Sequence, residues 1–372
     1  MFVVFSKHQS VFFETFFEHF ISSMNLNLLS DAQVEQLRNT ISQAGNIVLV
    51  CHESPDGDAI GSMLGWDDFL KSMGKQSSIV VPNAFPDFLK WIPGGERIIR
   101  YDKHKEQVEA ALQKADLVFC MDFNSAKRVL DLQPALDAAK AVKVLIDHHI
   151  GPELDAFLSF SFPKMSSTCE IVFRMIRQLG GYEKMTRKGA ITLYMGMMTD
   201  TGGFSYNSNR PEIFYIISLL LEKGKFDKDK IYRNVYNNYS EWCIRMRGYV
   251  MSQKLRVIEG SHACYYTLTK EEMRKFHFIK GDAEGLVNEP LRIKGMRLSI
   301  SLREDTEKDN VVWVSLRSVD QYYCNVLAEM FFNGGGHENA AGGRIMGTME
   351  EAEQTVHRAI LFFAAHDGIV KK

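Results

Sequence analysis

Apolar residues along this chain gather in short runs of strand length, separated by stretches where they recur at helical spacing. Ile47 to Cys51, Ser78 to Val81, Leu117 to Met121 and Val142 to Ile146 are nearly unbroken apolar runs, the pattern of strands buried on both faces. Ile191 to Met198 is a further run of this strand-like kind. Between the first two, Ile60, Met63, Leu64, Phe69, Leu70 and Met73 keep a helical period and stop at Gly74, which predicts a helix over 59–73. Helices are also predicted over 105–114 and 133–141. Ser30 with Gln33, and Ser167 with Glu170, have capping-box spacing. The helix after Ser167 runs to Leu179 and ends at Gly180-Gly181, and its first amides have the alternative of holding a phosphate. Strands alternating with helices indicate an α/β fold on a parallel sheet, in which sites form beyond the carboxyl ends of the strands.

After Asn209 the pattern is helical to about Met251, which reads as a connector. A second, smaller α/β unit follows, with strands expected over 263–268, 298–302 and 311–316 and helices over 326–332 and 350–365. A glycine-rich loop, Gly334 to Gly343, lies between those helices. The expected division is 24–216 for a catalytic domain, 217–250 for the connector and 251–372 for a substrate-binding domain. Residues 1–23 are rich in Phe but interrupted by Lys7, Glu14, Glu18 and His19, which does not fit a signal peptide. They are expected to be an upstream extension dispensable for the fold, the alternative being an amphipathic helix that packs on a partner.

At 372 residues the chain has room for two domains. A net charge of −2 implies no large basic surface, which argues against tight binding to long nucleic acid but leaves room for a short anionic substrate. The six cysteines form no C-x-x-C pair, and Cys51 and Cys120 fall inside apolar runs. Reduced, buried thiols and a cytoplasmic location are therefore expected. No stretch approaches the ~20 apolar residues of a membrane span.

The apolar runs are followed by acidic and histidine residues. His52-Glu53-Ser54-Pro55-Asp56-Gly57-Asp58 follows the first, Asp122 the third, Asp147-His148-His149 the fourth and Asp200, with Gly202-Gly203, the Met-rich run. Each has a bland reading. D-x-D is common in solvated turns, with Asp58 capping the next helix, and a lone Asp122 suits a turn. Three adjacent ionisable groups after a buried strand are harder to dismiss, because they need pairing. A two-metal site answers all four clusters together. Two divalent cations ~3.5–4 Å apart need about six ligands, generate a hydroxide and neutralise phosphoryl charge. Mixed imidazole and carboxylate donors favour Mn2+, with Mg2+ or Co2+ as substitutes, over Ca2+, and zinc takes fewer ligands.

These motifs, in this order, resemble the DHH phosphoesterase superfamily, in the subfamily with a C-terminal DHHA1 domain. The resemblance covers almost everything from Ile47 onward. It rests on H-E-S-P-D-G-D-A-I-G-S (52–62), C-M-D (120–122), I-D-H-H (146–149), M-T-D-T-G-G-F (198–204) and G-G-G-H-E-N-A-A-G-G (334–343). Size and layout are similar to the bacterial oligoribonucleases known as nano-RNases, which also dephosphorylate 3′-phosphoadenosine 5′-phosphate (pAp). The resemblance implies that His52, Asp56 and Asp122 hold one cation, and that Asp58, Asp122, His148 and Asp200 hold the second. His149 would contact the scissile phosphate, and Asp147 would orient the histidines or stand closer to the metals. Gly334, Gly335, Gly336 and His337 would bind the substrate's nucleotide or phosphate. Arg317 matches a substrate-binding arginine, the alternative being a surface ion pair. Phe123 to Arg128 departs from the family's usual Gly-rich, charged stretch, so Lys127 and Arg128 stay unassigned.

The implied activity is hydrolysis of short oligoribonucleotides, dinucleotides and pAp, with a homodimer left open. Rivals are a RecJ-like single-strand exonuclease, which usually has a longer chain, and a manganese pyrophosphatase, which lacks the G-G-G-H pattern. A non-catalytic nucleotide-sensing protein on the same fold is disfavoured because every expected ligand is present.

Overall fold

The computed structural model describes residues 25–279 and 281–366; the expectation for residues 1–23 lies outside them. The chain divides into two compact units, one holding residues up to 84 and 89–232, the other 85–88 and 233 onward. Among the described residues no helix is long and apolar enough to cross a membrane.

The first unit contains α1 (Asp31–Gln43), β1 (Ile47–Cys51), α2 (Gly57–Ser72), β2 (Ser77–Val81), β3 (Ile99–Arg100), α3 (Lys105–Lys114), β4 (Leu117–Met121), α4 (Gln133–Ala138), β5 (Val142–Asp147), β6 (Leu158–Ser161), α5 (Thr168–Gln178), α6 (Arg187–Asp200) and α7 (Pro211–Gly224). The α1 start is a capping box, with Gln33 N donating to Ser30 Oγ and Ser30 N to Gln33 Oε1. The sheet order is β3-β2-β1-β4-β5-β6, all parallel. Every residue of β1 and β4 is buried, which explains their unbroken apolar sequence. Asp67 of α2 ties helix to sheet. It is buried and accepts Ser77 Oγ at 2.7 Å, pairs with Lys71 at 2.8 Å and receives Arg97 Nη2 at 3.2 Å. Burial raises the Asp67 carboxyl, but the bonds from Arg97, Lys71 and Ser77 outweigh it and hold the group below its usual range.

Ile191 to Met198 is not a strand. It lies inside α6, capped by Thr186, which accepts from the Lys188 and Gly189 amides. The helix is buried nearly all round, so it has no polar stripe, and periodicity cannot separate it from a buried strand. Its packing against α2 depends on glycines spaced four apart. A Cβ at Gly57 would strike Thr199 and one at Gly65 would strike Leu193, while one at Gly61 would lie 2.6 Å from the Thr192 carbonyl oxygen. This contact places the first turn of α2 beside the last turn of α6.

After α7, α8 (Lys228–Tyr236) leads into the second unit. That unit contains α9 (Glu241–Tyr249), β7 (Arg256–Ile258), β8 (Ala263–Leu268), α10 (Lys270–Lys275), β9 (Leu298–Glu304), β10 (Val311–Ser318), α11 (Asn325–Phe331), β11 (Gly335–His337), β12 (Ala340–Met346) and α12 (Met349–Ala365). Its sheet order is β11-β12-β10-β9-β8-β7, antiparallel except for the parallel β8–β9 pair. The glycine-rich stretch expected as a loop is therefore a hairpin, with Gly336 opposite Ala341 and His337 opposite Ala340. A Cβ at Gly334 would collide with the Gly342 carbonyl, so the approach of β11 to β12 requires glycine there. One sheet face, including Leu298, Ile300, Leu302, Val312, Val314 and Leu316, packs with Leu327, Val356, Ile360 and Phe363 of α11 and α12. All six cysteines are free and buried, three in each unit.

Candidate metal centre

Three parallel strands end level with one another. Cys51 pairs with Met121, and Met121 with Ile146, so His52, Asp122 and Asp147 emerge side by side at the carboxyl edge. The chain turns sharply at Asp122, whose φ is 64° and whose amide donates to Ile146 O at 3.0 Å. Asp is among the few residues that visit this left-handed region readily. In the next loop Asp56 caps α2, its Oδ1 accepting the Asp58 and Ala59 amides at 3.0 Å each. Asp58 is thus not the cap. Its carboxylate turns inward and accepts the Thr168 amide at 2.6 Å and the Cys169 amide at 2.8 Å. Asp200 is the last residue of α6, where the helix dipole disfavours a carboxylate and favours a neighbouring cation.

The side chains converge. His52 Nε2 lies 3.5 Å from Asp122 Oδ2 and 3.8 Å from Asp56 Oδ2. His148 Nε2 lies 3.6 Å from Asp122 Oδ1, 3.8 Å from Asp58 Oδ2 and 3.5 Å from Asp200 Oδ2. His52, Asp56 and Asp122 form one group of donor atoms within 4.8 Å, and Asp58, His148 and Asp200 form another. Asp122 presents one oxygen to each. Both histidines are oriented through the other nitrogen, His52 Nδ1 donating to Glu53 O at 2.6 Å and His148 Nδ1 to Met165 O at 3.4 Å. Nε2 is then the atom that each ring turns toward the carboxylates. His149 Nδ1 donates to Asp147 Oδ1 at 2.7 Å.

Electrostatics fit a cation. Asp58, Asp122 and Asp147 are all buried. Burial, then the charges of Asp122 and Asp200, drives the Asp58 carboxyl well above its usual range, against His148. Burial opposes ionisation of Asp122 too, but the His52 bond and the charges of His149, His52 and His148 hold it far below. Burial disfavours the His52 and His148 imidazoliums, yet the surrounding carboxylates raise both. His149 is lowered, by burial first and by Arg128, against Asp147. Asp147 Oδ2 is buried without a hydrogen-bond partner. Buried carboxylates crowded in this way are costly unless a cation joins them. The donor set, all oxygen and imidazole nitrogen, suits a first-row divalent ion or Mg2+.

The remaining expected residues lie in the second unit. On the sheet face opposite its apolar core, Arg317 sits at a register position level with Ala340, which is opposite His337. Arg317 Nη1 donates to Leu316 O at 2.9 Å. Arg303 and Ser301 share that face and neighbour the buried Tyr266 phenol, which burial raises and Ser301, Arg303 and Arg317 oppose. In the first unit Lys127 is exposed and 3.9 Å from Glu153, whereas Arg128 is half-buried and acts electrostatically on His52 and His149. The phosphate alternative at the start of α5 does not hold, since the Thr168 and Cys169 amides are taken by Asp58. Nor is that start a capping box. Ser167 Oγ accepts the Glu170 amide, but the Glu170 carboxylate serves Ser166, Arg174 and Arg210 instead. Thr168, Glu170 and Arg210 are the site-side residues that sequence reasoning did not assign.

A buried acidic and histidine cluster at the carboxyl edge of a parallel sheet defines the class: a metal-dependent hydrolase of phosphate esters. Residues 46–197 match the DHH family N-terminal domain and residues 262–364 the DHHA1 domain, and the chain belongs to this DHH/DHHA1 phosphoesterase family. It is 48% identical to an exopolyphosphatase-related protein from Bacteroides fragilis of known crystal structure, with a TM-score of 0.85 over 91% of this chain and 98% of that one. It is 27% identical over 317 residues to the bifunctional oligoribonuclease and PAP phosphatase NrnA of Thermus thermophilus, covering 85% of this chain and 89% of the relative. RecJ from Thermus thermophilus, solved with Mn2+, shares the fold at 12% identity and a TM-score of 0.53, over 92% of this chain and 56% of RecJ.

Proposed function

We propose that this phosphoesterase hydrolyses short oligoribonucleotides, dinucleotides and pAp at a two-cation site that takes Mn2+. The observation that carries the two-cation reading is Asp122, with Oδ2 toward His52 and Oδ1 toward His148. The first cation is assigned to His52, Asp56 and Asp122, the second to Asp58, Asp122, His148 and Asp200. When bound, such ions activate water at neutral pH and neutralise phosphoryl charge. Asp147 keeps a proton on His149 Nδ1 and would stabilise its imidazolium, which leaves Nε2 as the atom assigned to the scissile phosphate. Arg317, with Gly334, Gly335, Gly336 and His337, is assigned to the nucleotide and its remaining phosphate. The preference for short substrates rests on the near-neutral charge of the chain and on its similarity to NrnA.

The test is hydrolysis with Mn2+ over single-stranded RNA of increasing length, with pAp and single-stranded DNA alongside. Cleavage per end should be fastest for two to five nucleotides and fall for ~20-mers, with a shallow salt dependence. Equal or faster cleavage of long single-stranded DNA would replace this reading with the RecJ-like one.

A further inference from the structure

The segment Met165–Cys169, which leads from β6 into the first turn of α5, touches three of the residues assigned to cations without being assigned itself. Met165 O accepts from His148 Nδ1. The Thr168 and Cys169 amides hold both oxygens of Asp58. The Thr168 hydroxyl donates to Asp122 Oδ1 at 2.8 Å, the same oxygen that faces His148. Ser166, Ser167, Thr168 and Cys169 are fully buried.

The segment is itself held from behind by Glu170, also fully buried. Glu170 Oε2 accepts the Ser166 amide at 2.8 Å, the Ser166 hydroxyl at 2.7 Å and Arg210 Nη2 at 2.6 Å. Oε1 accepts Arg174 Nε at 2.9 Å. A buried carboxylate with this many donors is locked in place, and it fixes where the Thr168 hydroxyl sits.

The last torsion of an aspartate is soft, with broad minima. Nothing in the Asp122 side chain alone makes one oxygen face His52 and the other His148. Contacts must set that plane: the imidazoles of His52, His148 and His149 stand 3.5–3.8 Å from its oxygens, and the Thr168 hydroxyl makes the shorter, directional bond to Oδ1 at 2.8 Å. A carboxylate oxygen accepts along two directions, so the Thr168 bond leaves Oδ1 able to ligate.

We propose that Thr168 is a positioning residue for the bridging carboxylate, held in register by the Glu170–Arg174–Arg210 node, and that its hydroxyl sets the affinity of the cation on the Asp58–His148–Asp200 side. The proposal rests on the two-cation reading above. Partners that orient metal ligands typically change affinity by ~10–100-fold when removed. The test is a titration of the metal-free full chain with Mn2+, reading free Mn2+ by electron paramagnetic resonance, for the wild type, Thr168→Val and Thr168→Ser. Thr168→Val keeps the shape of the side chain and the amide bonds to Asp58 but lacks the hydroxyl. It should bind one Mn2+ as the wild type does and the second ~10–100-fold more weakly. Thr168→Ser should restore the second affinity to near the wild-type value. Thr168→Ala, which removes the hydroxyl without bulk, serves if the valine variant does not fold. Wild-type affinity for both ions in Thr168→Val or Thr168→Ala, or an equal loss in Thr168→Ser, overturns the proposal. A wild-type chain that takes up fewer than two Mn2+ instead refutes the two-cation reading on which it stands.

Discussion

Replacing Gly61 by alanine sets two opposed effects against each other. In an open helix the exchange favours the folded state by about 1 kcal/mol. At Gly61, however, the new methyl would lie 2.6 Å from Thr192 O, 3.0 Å from Cys169 Sγ and 3.2 Å from Gly196 Cα. Two of these are backbone atoms, so no rotamer change relieves the clash. A carbon–oxygen contact is comfortable from about 3.3 Å, and α2 must therefore withdraw from α6 by roughly 0.7 Å. Overpacking of this kind costs ~1–3 kcal/mol. With backbone as the obstacle the cost falls in the upper half, and after subtracting the propensity gain a net loss of about 1–2 kcal/mol remains. The same withdrawal moves Asp58, in the first turn of α2, away from Asp200, at the end of α6. Mn2+ affinity should then drop by roughly tenfold, because ligand sets tolerate only about 0.5 Å of misplacement. Urea denaturation and Mn2+ titration read the two consequences separately. The control is Gly248→Ala in α9, an exposed position where a Cβ meets nothing within 4 Å. It should gain about 0.5–1 kcal/mol and leave Mn2+ binding alone. A Gly61→Ala chain at least as stable as the wild type, with full Mn2+ affinity, would refute the claim that glycine is required for the α2–α6 approach.

Three further outcomes are expected. Because the Asp67 carboxyl is depressed in the folded chain, its stabilisation is present above the unfolded value near ~4 and is lost as pH falls through the folded value. Asp67→Asn should cost ~1–3 kcal/mol at pH 7 in urea midpoints, a difference that vanishes once pH has fallen below the depressed folded value; a pH-independent difference would count against the ion-pair account. His149→Ala should lower turnover by ~100-fold or more while Mn2+ stoichiometry stays at the wild-type value, and a chain that loses half its metal would place His149 among the ligands instead. Arg317→Ala should raise KM for dinucleotides and pAp several-fold, with a smaller fall in kcat; unchanged kinetics would assign Arg317 to surface pairing.

The strands leading to His52, Asp122 and Asp147 were legible because burial on both faces leaves nothing polar in β1, in β4 and in Val144 to Ile146 of β5. The same signal misled for Ile191 to Met198, where a helix buried all round erases the periodicity that would distinguish it. β3 has only two residues and no pattern to detect. The glycines of 334–343 carry no side chains whose alternation could announce a hairpin. Ser167 and Glu170 had capping-box spacing, but spacing cannot foresee that Arg210, forty residues on, and Ser166 would claim the Glu170 carboxylate. Thr168 was similarly hidden, since its partner Asp122 is forty-six residues away in sequence.

The six buried cysteines make the chain its own recorder of opening. None offers a thiol to solvent, and burial raises even the least shifted of those with a stated value, Cys264, to about 11. An alkylating reagent at neutral pH therefore finds neither access nor thiolate until a segment comes apart. Cys51, Cys120 and Cys169 lie in the first unit, and Cys243, Cys264 and Cys324 in the second. The order in which labelled peptides appear in a mass spectrum would date the opening of each unit separately, without a probe being engineered into either.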